Sequence, residues 1–268
     1  MATESVTVPA RDERYRSIFA VAGVVVVAAM LALAEHEIAH GPGYPALAAL
    51  ITWAPALGKS LWVNIEISLL AIALGTLAGL ALGPLLLSPS RTVRLIVRCY
   101  VQVFRNAPLL VLIYFSTYVF PFEIAFGRHI LPFPDWFKVT LGLALPASAN
   151  FAEIFRGAIQ SIPHAQWDAA RSLAFSRTQV FRWIILPQCV KRMLPPWMNL
   201  YASITMATAL ASLVGVHDLL DTAQVASNTV ARADFTVVVY FTVLGLFFAY
   251  CYPIARFTRL LEKRYAFS

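Results

Sequence analysis

Long apolar segments separated by short polar ones make up most of this chain of 268 residues. Six segments are apolar over roughly 18 residues or more, about the length of helix that crosses the hydrocarbon core of a bilayer. Because backbone groups in lipid must pair within their own segment, each is predicted to be a helix. The predicted spans are 17–34, 61–87, 100–120, 136–155, 198–216 and 235–257. The pattern therefore predicts an all-α integral membrane protein with about six transmembrane helices.

Lysine and arginine are distributed unevenly between the two sides that these spans define. With the N-terminus in the cytoplasm, 17 of the 21 basic residues lie on the inner side. The four on the outer side are Lys59, Arg128, Lys138 and Arg232. Since cytoplasmic loops carry an excess of basic residues, both termini are predicted to be cytoplasmic. The net charge of +7 then follows from topology and does not indicate a nucleic-acid-binding protein.

The composition excludes a soluble globular domain, because 59% of the residues are apolar and the mean hydropathy is +0.70. The three cysteines, Cys99, Cys189 and Cys251, are predicted near the cytoplasmic ends of spans and share no metal-ligand spacing. We therefore expect neither a disulfide nor a zinc site. Residues 35–60 contain prolines and a short apolar stretch, and are expected to form an outer loop with an interfacial helix. His36 and His40 in that loop are expected to be solvated rather than to hold a metal.

Small residues recur at four-residue spacing in the second predicted span. They are Ala71, Gly75, Gly79 and Gly83, and this spacing places them on one face of a helix. Such a face lets the backbone of a neighbouring helix approach closely. Pro108, in the third predicted span, is expected to loosen that helix locally.

Several polar residues within or beside the spans are candidates for lining a solute path. Polar side chains are costly in lipid and are expected to face protein or water. Small hydroxylated residues also permit tight packing, with each hydroxyl bonded to its own helix, so packing and path lining remain alternatives. For Glu66, a hydrogen-bonded place near the outer interface is favoured over the path. The candidates are Ser148, Asn150, Glu153, Thr205, Thr208 and Glu66.

A charged, amphipathic stretch lies between the fourth and fifth spans, on the predicted cytoplasmic side. Apolar residues at spacings of three and four, from Ile162 through Ala165 and Ala169 to Leu173, predict a short amphipathic helix. A second helix is predicted to begin at Ser176 with a capping box and to end before Pro187. Helices of about two turns are marginal in water, so both must pack on a membrane surface or in a groove of another protein.

This stretch resembles a known family. The sequence "DAARSLAFSRTQVFRWIILP" is similar to the EAA loop in the membrane subunits of ABC importers. Further stretches resemble, in order, permeases of the polar amino acid uptake group, from about residue 61 to residue 265. They are "YVQVFRNAPLLVLIYF", "AEIFRGAIQSI", "ILPQCVKRMLPPWMN", "ASLVGVHDLL" and "LLEKRY".

The resemblance implies a permease that carries a polar amino acid, or a related solute such as an opine, across the bacterial inner membrane. It implies the five-helix core of a type I ABC importer at 61–265, preceded at 1–60 by a tail, an extra span and an outer loop, with a coupling loop at about 156–197. The implied partners are a second permease subunit, identical or homologous, two ATPase subunits that bind ATP and Mg, and an outer solute-binding protein. This chain has no G-x-x-x-x-G-K-[ST] motif, so we expect no cofactor in it.

The resemblance also assigns residues to the helix that docks in the ATPase groove. They are Gln166, Asp168, Ala169, Ala170, Arg171, Ala174, Ser176 and Pro187. Asp168 stands where the family usually has Glu, and Ala174 where it has Gly. A left-handed turn at Ala174 would cost about 1 kcal/mol relative to glycine. In the fifth span, Met206 to Ala209 replace a Lys-Asp-Thr-Ser run common in the group.

Two other classes of protein are less consistent with the sequence. An intramembrane enzyme would need a nucleophile with a base, or a metal cluster, within the spans. Neither G-x-S-x-G nor H-E-x-x-H occurs, and the five histidines lie outside the predicted spans, so the chain is not expected to be an enzyme. A membrane assembly or sensor subunit that transports nothing remains the alternative.

Overall fold

The computed structural model describes residues 46–126 and 129–265, with side chains except at 124–130 and 263–265. The first predicted span, His36 and His40 lie outside the described residues. Eight helices and one antiparallel hairpin follow one another in this part of the chain. They are α1 (Ala46–Leu86), α2 (Arg91–Asn106), α3 (Leu109–Val119), β1 (Glu123–Phe126), β2 (His129–Pro132), α4 (Asp135–Gln160), α5 (His164–Ser172), α6 (Arg177–Val214), α7 (Leu219–Val230) and α8 (Ala233–Tyr265).

The described residues form two compact units. The smaller contains 46–55 and 223–245, and the larger contains 56–222 and 246–265. In the smaller unit, α7 and the start of α8 form a hairpin in which the hydroxyls of Ser227 and Thr236 lie 2.6 Å apart. Arg232 pairs with Asp234 beside the turn. The larger unit contains the remaining helices and all candidate residues named above.

The second predicted span is longer than the sequence indicated. α1 is 41 residues long and begins at Ala46, so the predicted loop is wrong for the residues from Ala46 onward. Pro55 lies inside the helix. The surrounding Ala- and Leu-rich sequence favours helix, and apolar helices tolerate an internal proline where neighbouring groups satisfy the freed carbonyl.

The third predicted span is interrupted. α2 and α3 are separated at Ala107 and Pro108 and bent by 106°. Both linking residues have extended backbones, with ψ of 136° and 128°. Proline disfavours helical conformation in the residue before it and has no N–H to continue the helix, so Pro108 ends α2 rather than loosening it.

The predicted break at Pro187 is absent. A single helix, α6, runs from Arg177 through Pro187 to Val214 and so joins the second cytoplasmic helix to the fifth predicted span. Residues Val180–Ile185 form a π-helical turn, closed by a bond from Leu186 N to the Phe181 carbonyl. The wider turn relieves the clash between a proline ring and the carbonyl four residues earlier, so the helix continues. Its end, Thr208–Val214, is a 3₁₀ helix closed by Gly215 in a left-handed conformation, with φ of 83°.

Three helices, α1, α6 and α8, are long and apolar enough to cross a membrane, and the number rises to four only if the bent pair of α2 and α3 is counted as one span. α4 has the necessary length, at 26 residues, but is more polar. The described residues therefore show a multi-helix membrane protein, and the predicted total of six spans stays a prediction.

The glycine face of α1 packs directly on α4. A Cβ atom placed at Gly75 would lie 2.5 Å from the Ala147 Cβ, and one at Gly79 would lie 2.8 Å from the Ser148 carbonyl oxygen. At Gly83 it would lie 2.6 Å from the Phe155 ring. These distances are far below van der Waals contact, so only glycine permits this approach. The predicted close-packing face is confirmed.

Gly75→Ala should therefore destabilise the protein. The Ala147 methyl group cannot rotate away, so the two helices must separate, and overpacking of this kind costs about 1–3 kcal/mol. The measurement is the thermal unfolding midpoint of the purified protein in detergent. Gly58→Ala, in the same helix, is the matched control, because no atom lies within 4 Å of its added Cβ. Equal midpoints for the two variants would contradict the proposed contact.

Candidate functional site

The helix α5 is the candidate docking element, and its packing differs from the prediction. Ile162, just before α5, is buried, but Ala165 and Ala169 are exposed and Leu173 is 69% exposed. The predicted apolar face is therefore wrong for α5 itself. The buried side instead contains Ala170 and part of Trp167, because the large indole ring removes more apolar area from water than the methyl groups of Ala165 and Ala169.

The buried side of α5 packs against the C-terminal end of α4 and the N-terminal half of α6. Ala170 and Trp167 belong to an apolar cluster that includes Ile162, Phe155, Val180, Ile185, Cys189 and Met193. Gln188 Nε2 of α6 donates a hydrogen bond to Gln166 Oε1 of α5. Arg192 Nη1 donates to the carbonyl of Ser161, before α5, at 2.9 Å. These contacts make α5 and the first half of α6 one packed unit.

The opposite side of α5 presents the first two residues of the Asp-Ala-Ala triplet, together with Arg171. The side chains of Asp168 and Arg171 are 70% and 68% exposed, and their charged atoms lie 3.7 Å apart. Exposed pairs of this kind contribute little to stability. Ala169 is exposed beside them, whereas Ala170 faces the interior. Asp168, Ala169 and Arg171 are therefore accessible to another chain.

The turn after α5 is left-handed at Ala174, which has φ of 58°. The Phe175 N–H bonds to the Ala170 carbonyl at 3.3 Å, and the Ala174 N–H bonds to the Arg171 carbonyl at 2.9 Å. This is the Schellman pattern of helix termination, in which glycine usually occupies the left-handed position. The left-handed turn expected from the family's glycine is present, although this chain has alanine there.

The next helix begins as the sequence predicts. The Ser176 hydroxyl accepts a bond from the Gln179 N–H, and the Gln179 side chain accepts one from the Ser176 N–H at 2.8 Å. This reciprocal capping box fixes the start of α6 directly after the turn. The Schellman turn at Ala174 and the capping box at Ser176 together define the geometry between α5 and α6.

The path candidates on α4 are paired within the protein. Ser148 is buried where the α1 glycines approach, and its hydroxyl lies 2.8 Å from the Tyr100 hydroxyl. Asn150 donates to the Pro146 carbonyl at 2.8 Å and accepts from Arg105. Glu153 forms an ion pair with Arg156, three residues on, with a separation of 2.6 Å. Ser148 therefore occupies a helix contact.

The path candidates on α6 belong to a different group. Thr205 and Thr208 are fully buried. Thr208 Oγ1 accepts a hydrogen bond from Asn64 Nδ2 of α1 at 3.1 Å, and the same amide donates to Asp218 Oδ2 at 3.1 Å. The Asn64 carbonyl oxygen accepts from the backbone N–H of Leu219 at 2.9 Å. Asn64 thus connects α1, α6 and the first residue of α7.

Asn64 and Asp218 are absent from the residues predicted from the sequence. Both are completely buried and polar. Glu66, for which a hydrogen-bonded place is favoured over the path, is exposed and accepts a hydrogen bond from the Trp62 indole at 2.6 Å. A signal was present, because Asn64, Ser68 and Thr76 share one face of α1 at spacings of four and eight residues.

That face of α1 meets a matching face of α6. Trp197 Nε1 donates to Thr76 Oγ1 at 2.8 Å. The Ser68 hydroxyl lies 3.1 Å from the Tyr250 hydroxyl of α8, which in turn lies 2.5 Å from the Tyr201 hydroxyl. We call these contacts, together with the Asn64–Thr208 bond, the polar seam. Among the described residues, no hydrogen bond joins the polar seam to the path candidates on α4.

Residues 71–267 match the family described as "Binding-protein-dependent transport system inner membrane component". The match covers well over half of the chain. The chain belongs to this family. The resemblance noted in the sequence is thereby confirmed, and the protein is a multi-pass membrane component of a transport system.

Relatives and solved structures of similar sequence support this membership. The component is 31% identical over 212 residues to the probable amino-acid ABC transporter permease protein YckA of Bacillus subtilis, covering 79% of this chain and 90% of YckA. It is 32% identical to the probable amino-acid ABC transporter permease protein y4tF of Sinorhizobium fredii, covering 77% and 86%. A chain from the crystal structure of an amino acid ABC transporter with histidines superposes with a TM-score of 0.72 at 26% identity, covering 83% of this chain and 100% of that one.

The Asp218 carboxyl of this transport component lies in the loop between α6 and α7, outside the long apolar helices. Burial raises its pKa from an ordinary 3.8 to about 6, although hydrogen bonds from the Asp221 N–H and from Asn64 favour the carboxylate. Asp218 Oδ1 also caps α7 by accepting from the Asp221 N–H at 2.9 Å. The loop is therefore sensitive to protonation of one buried group.

Ala174→Gly should stabilise the turn after α5. Glycine removes the left-handed strain of alanine, a gain of up to about 1 kcal/mol. The measurement is amide hydrogen exchange across 164–180, which should slow. Ala169→Gly, inside the same helix, is the control and should speed exchange, since it costs about 1 kcal/mol of helix stability. Faster exchange in Ala174→Gly would show that the turn is not left-handed.

Asp218→Asn should remove a pH dependence of stability. The folded carboxyl keeps its proton up to about pH 6 and the unfolded one only to about 3.8. The folded state therefore binds more protons between these values, and stability falls as pH rises through them. We expect the wild-type thermal midpoint to fall between about pH 4.5 and pH 6.5 more steeply than that of Asp218→Asn.

The control for this titration is Asp168→Asn, which removes an exposed carboxyl and should keep the wild-type pH profile. Identical profiles for Asp218→Asn and the wild type would show that Asp218 is not the titrating group.

Proposed function

We propose that this chain is the permease subunit of an ATP-driven importer that carries a polar amino acid, or a related solute such as an opine, across the bacterial inner membrane. The observation that carries the proposal is the exposed side of α5, with Asp168, Ala169 and Arg171, on a short helix that Ala170 and Trp167 hold against two long ones. Relatives named as amino-acid ABC transporter permeases, and one from Rhizobium radiobacter named as an octopine transport system permease protein, support the solute class.

The exposed side of α5 docks in a groove of an ATPase subunit. Asp168 and Arg171 supply charges at the rim of the contact, and Ala169 allows close approach because its side chain is small. Gln166 fixes α5 to α6 through Gln188, and Ala174 and Ser176 fix the turn between the two helices. A displacement of α5 therefore moves α6 as well.

α6 carries that displacement to the membrane interior. From Arg177 to Thr208 it is continuous, passing Pro187 by its π turn, over a length of about 46 Å. Thr205 and Thr208 lie at its far end, where the polar seam begins. Bonds in the seam are single and neutral, so they can be exchanged for water or solute groups when the helices shift. Tilting of α6 against α1 thus opens or closes this region.

Other subunits complete the proposed importer. ATP and Mg bind to two partner ATPase subunits, which perform the hydrolysis, and a second permease subunit, identical or homologous, forms the other half of the pore. A solute-binding protein delivers the solute at the outer surface. In this arrangement both termini are cytoplasmic, the core is 61–265 with five spans, and a sixth span precedes it.

Two sets of residues are candidates for the path. One is the α6 pair, Thr205 and Thr208, with Asn64 opposite; the other is Ser148, Asn150 and Glu153 on α4. We favour the first, because Thr208 bonds to Asn64 across α6 and α1, the two helices whose relative tilt is proposed to open the path. Ser148 and Asn150 instead bond to α2, and Glu153 pairs within α4. Glu66 is placed at the surface and is not included.

Ala169→Trp should impair both stimulated ATP hydrolysis and transport. The indole ring would fill the docking groove, so stimulated ATP hydrolysis and solute uptake by the reconstituted importer should both fall at least tenfold, a loss of about 1.4 kcal/mol or more of coupling. Ala81→Trp, at an exposed position of α1, is the matched control and should retain both activities. Membrane content of each variant is checked by immunoblot. Normal uptake with Ala169→Trp would refute the docking of α5.

A further inference from the structure

The surface of helix α2 is divided into three faces of different chemistry. Its arginines follow one another at spacings of three, four and seven residues and so occupy one face. They are Arg91, Arg94, Arg98 and Arg105, with Gln102 between the last two. The helix contains no acidic residue. This arginine row is a concentrated positive charge on one side of a 16-residue helix.

A second face of α2 is apolar and exposed. Leu95, Ile96 and Val103 are 66%, 64% and 55% exposed, and Cys99 is exposed among them. These residues form the exposed apolar row, which lies beside the arginine row. Large aliphatic side chains this accessible are expected in contact with acyl chains rather than with water.

The third face of α2 packs on the protein. Val97 and Val101 are buried against Ala149 and Ala152 of α4, in a cluster that includes Leu86. Among the described residues, the arginine row and the exposed apolar row are therefore the two faces of α2 left uncovered, one positively charged and the other apolar.

The bend before α3 places α2 across the bundle. α3 runs along α4, since a Cβ at Gly142 of α4 would lie 2.4 Å from Ser116 Oγ of α3. α2 is turned by 106° from α3 and lies across α4, because residues from Val97 to Arg105 of α2 contact the short stretch from Ser148 to Ala152 of α4. It crosses α4 at Ala149 and Ala152, about 21–26 Å from the charged first turn at Asp135. In a core about 30 Å thick, this depth is about 4–9 Å from the opposite surface, which is where interfacial helices lie.

We infer that α2 is a binding site for anionic phospholipid. The arginine row contacts the phosphate groups, and the exposed apolar row contacts the adjoining acyl chains. Arg94 Nη1 donates a hydrogen bond to the Ser88 carbonyl, and Arg105 Nε donates one to Asn150 Oδ1. For Arg91 and Arg98, the described residues provide no hydrogen-bond or ion-pair partner, so their guanidinium groups are available to a ligand.

Charge and shape favour lipid over a protein partner. A protein covering both rows would need an acidic groove directly beside an apolar one, whereas a phospholipid carries both chemistries in one molecule. Guanidinium forms paired hydrogen bonds with phosphate oxygens. The inference rests on the membrane placement in the proposed function, and is independent of the solute and of ATPase docking.

The experiment uses Cys99 as a reporter within the exposed apolar row. In the assembled importer, Cys189 and Cys251 are replaced by alanine, Cys99 is labelled with bimane, and the complex is reconstituted in vesicles of brominated phosphatidylcholine mixed with brominated phosphatidylglycerol. Bromine quenches bimane on contact. We expect strong quenching by both lipids, and preferential quenching by phosphatidylglycerol at equal mole fraction.

Arg91→Gln/Arg98→Gln should lower that preference by up to roughly fivefold for each charge removed. Arg91→Lys/Arg98→Lys keeps the charge and should keep most of the preference. Arg177→Gln/Arg182→Gln removes two exposed charges elsewhere and is the charge-matched control, with no change expected. Size-exclusion profiles confirm that each variant is assembled.

Three results would overturn the inference. Absence of quenching by either lipid would mean that another protein chain covers this face. Equal quenching by the two lipids would mean that α2 contacts acyl chains without selecting the headgroup. A preference that survives in Arg91→Gln/Arg98→Gln would place the anionic site elsewhere. None of these readings depends on uptake or ATP hydrolysis, so failure of the proposed transport function would be seen separately.

Discussion

The contact between α1 and α4 is the constraint on which the larger unit depends. In a lipid environment the hydrophobic effect does not drive helices together, so close packing must do so. Gly75 and Gly79 allow the backbones to approach until a single added methyl group would collide with Ala147 or with a backbone carbonyl. With α4 held in this way, its other faces receive α2, α3 and α6, and one core cluster joins residues from α1, α3, α4 and α6.

Several buried polar residues lie on α1, one of these two helices. The face of α1 adjacent to its glycines carries Asn64 and Ser68, and these bond to α6, α8 and the start of α7. A buried amide without partners would cost several kcal/mol in such surroundings. Asn64 uses both its amide hydrogens and its oxygen, which explains how the protein accommodates it. The same bonds link the membrane interior to the buried carboxyl of Asp218.

The turn after α5 departs from local preference at one residue, Ala174. Alanine in a left-handed turn is unfavourable, and yet the turn keeps the full Schellman pattern. The apolar cluster under α5 and the bonds from Gln188 and Arg192 hold the helix firmly enough to maintain it. A strained turn retained by its surroundings is common at functional sites. Here it lies between the helix proposed to contact the ATPase and the helix proposed to carry its motion.

The sequence by itself determined the features that depend on a few neighbouring residues. The membrane class follows from apolar runs, the close-packing face from glycines four residues apart, and the start of α6 from Ser176 and Gln179. Each is governed by helix periodicity or by backbone geometry within a few residues, and so can be predicted from the local sequence.

Only the tertiary structure decided the rest. The sequence could not show that Pro108 ends a helix whereas Pro187 does not, because a proline's effect depends on whether a wider turn and packed neighbours can absorb it. Nor could it show that Ala165 and Ala169 are exposed while Ala170 is buried, because Trp167 and the α6 cluster determine which side of α5 is covered. Asn64 and Asp218 are 154 residues apart, and only the folded structure shows that they form a buried hydrogen-bonded pair. Burial and pairing are properties of surroundings, and those surroundings are assembled from distant parts of the chain.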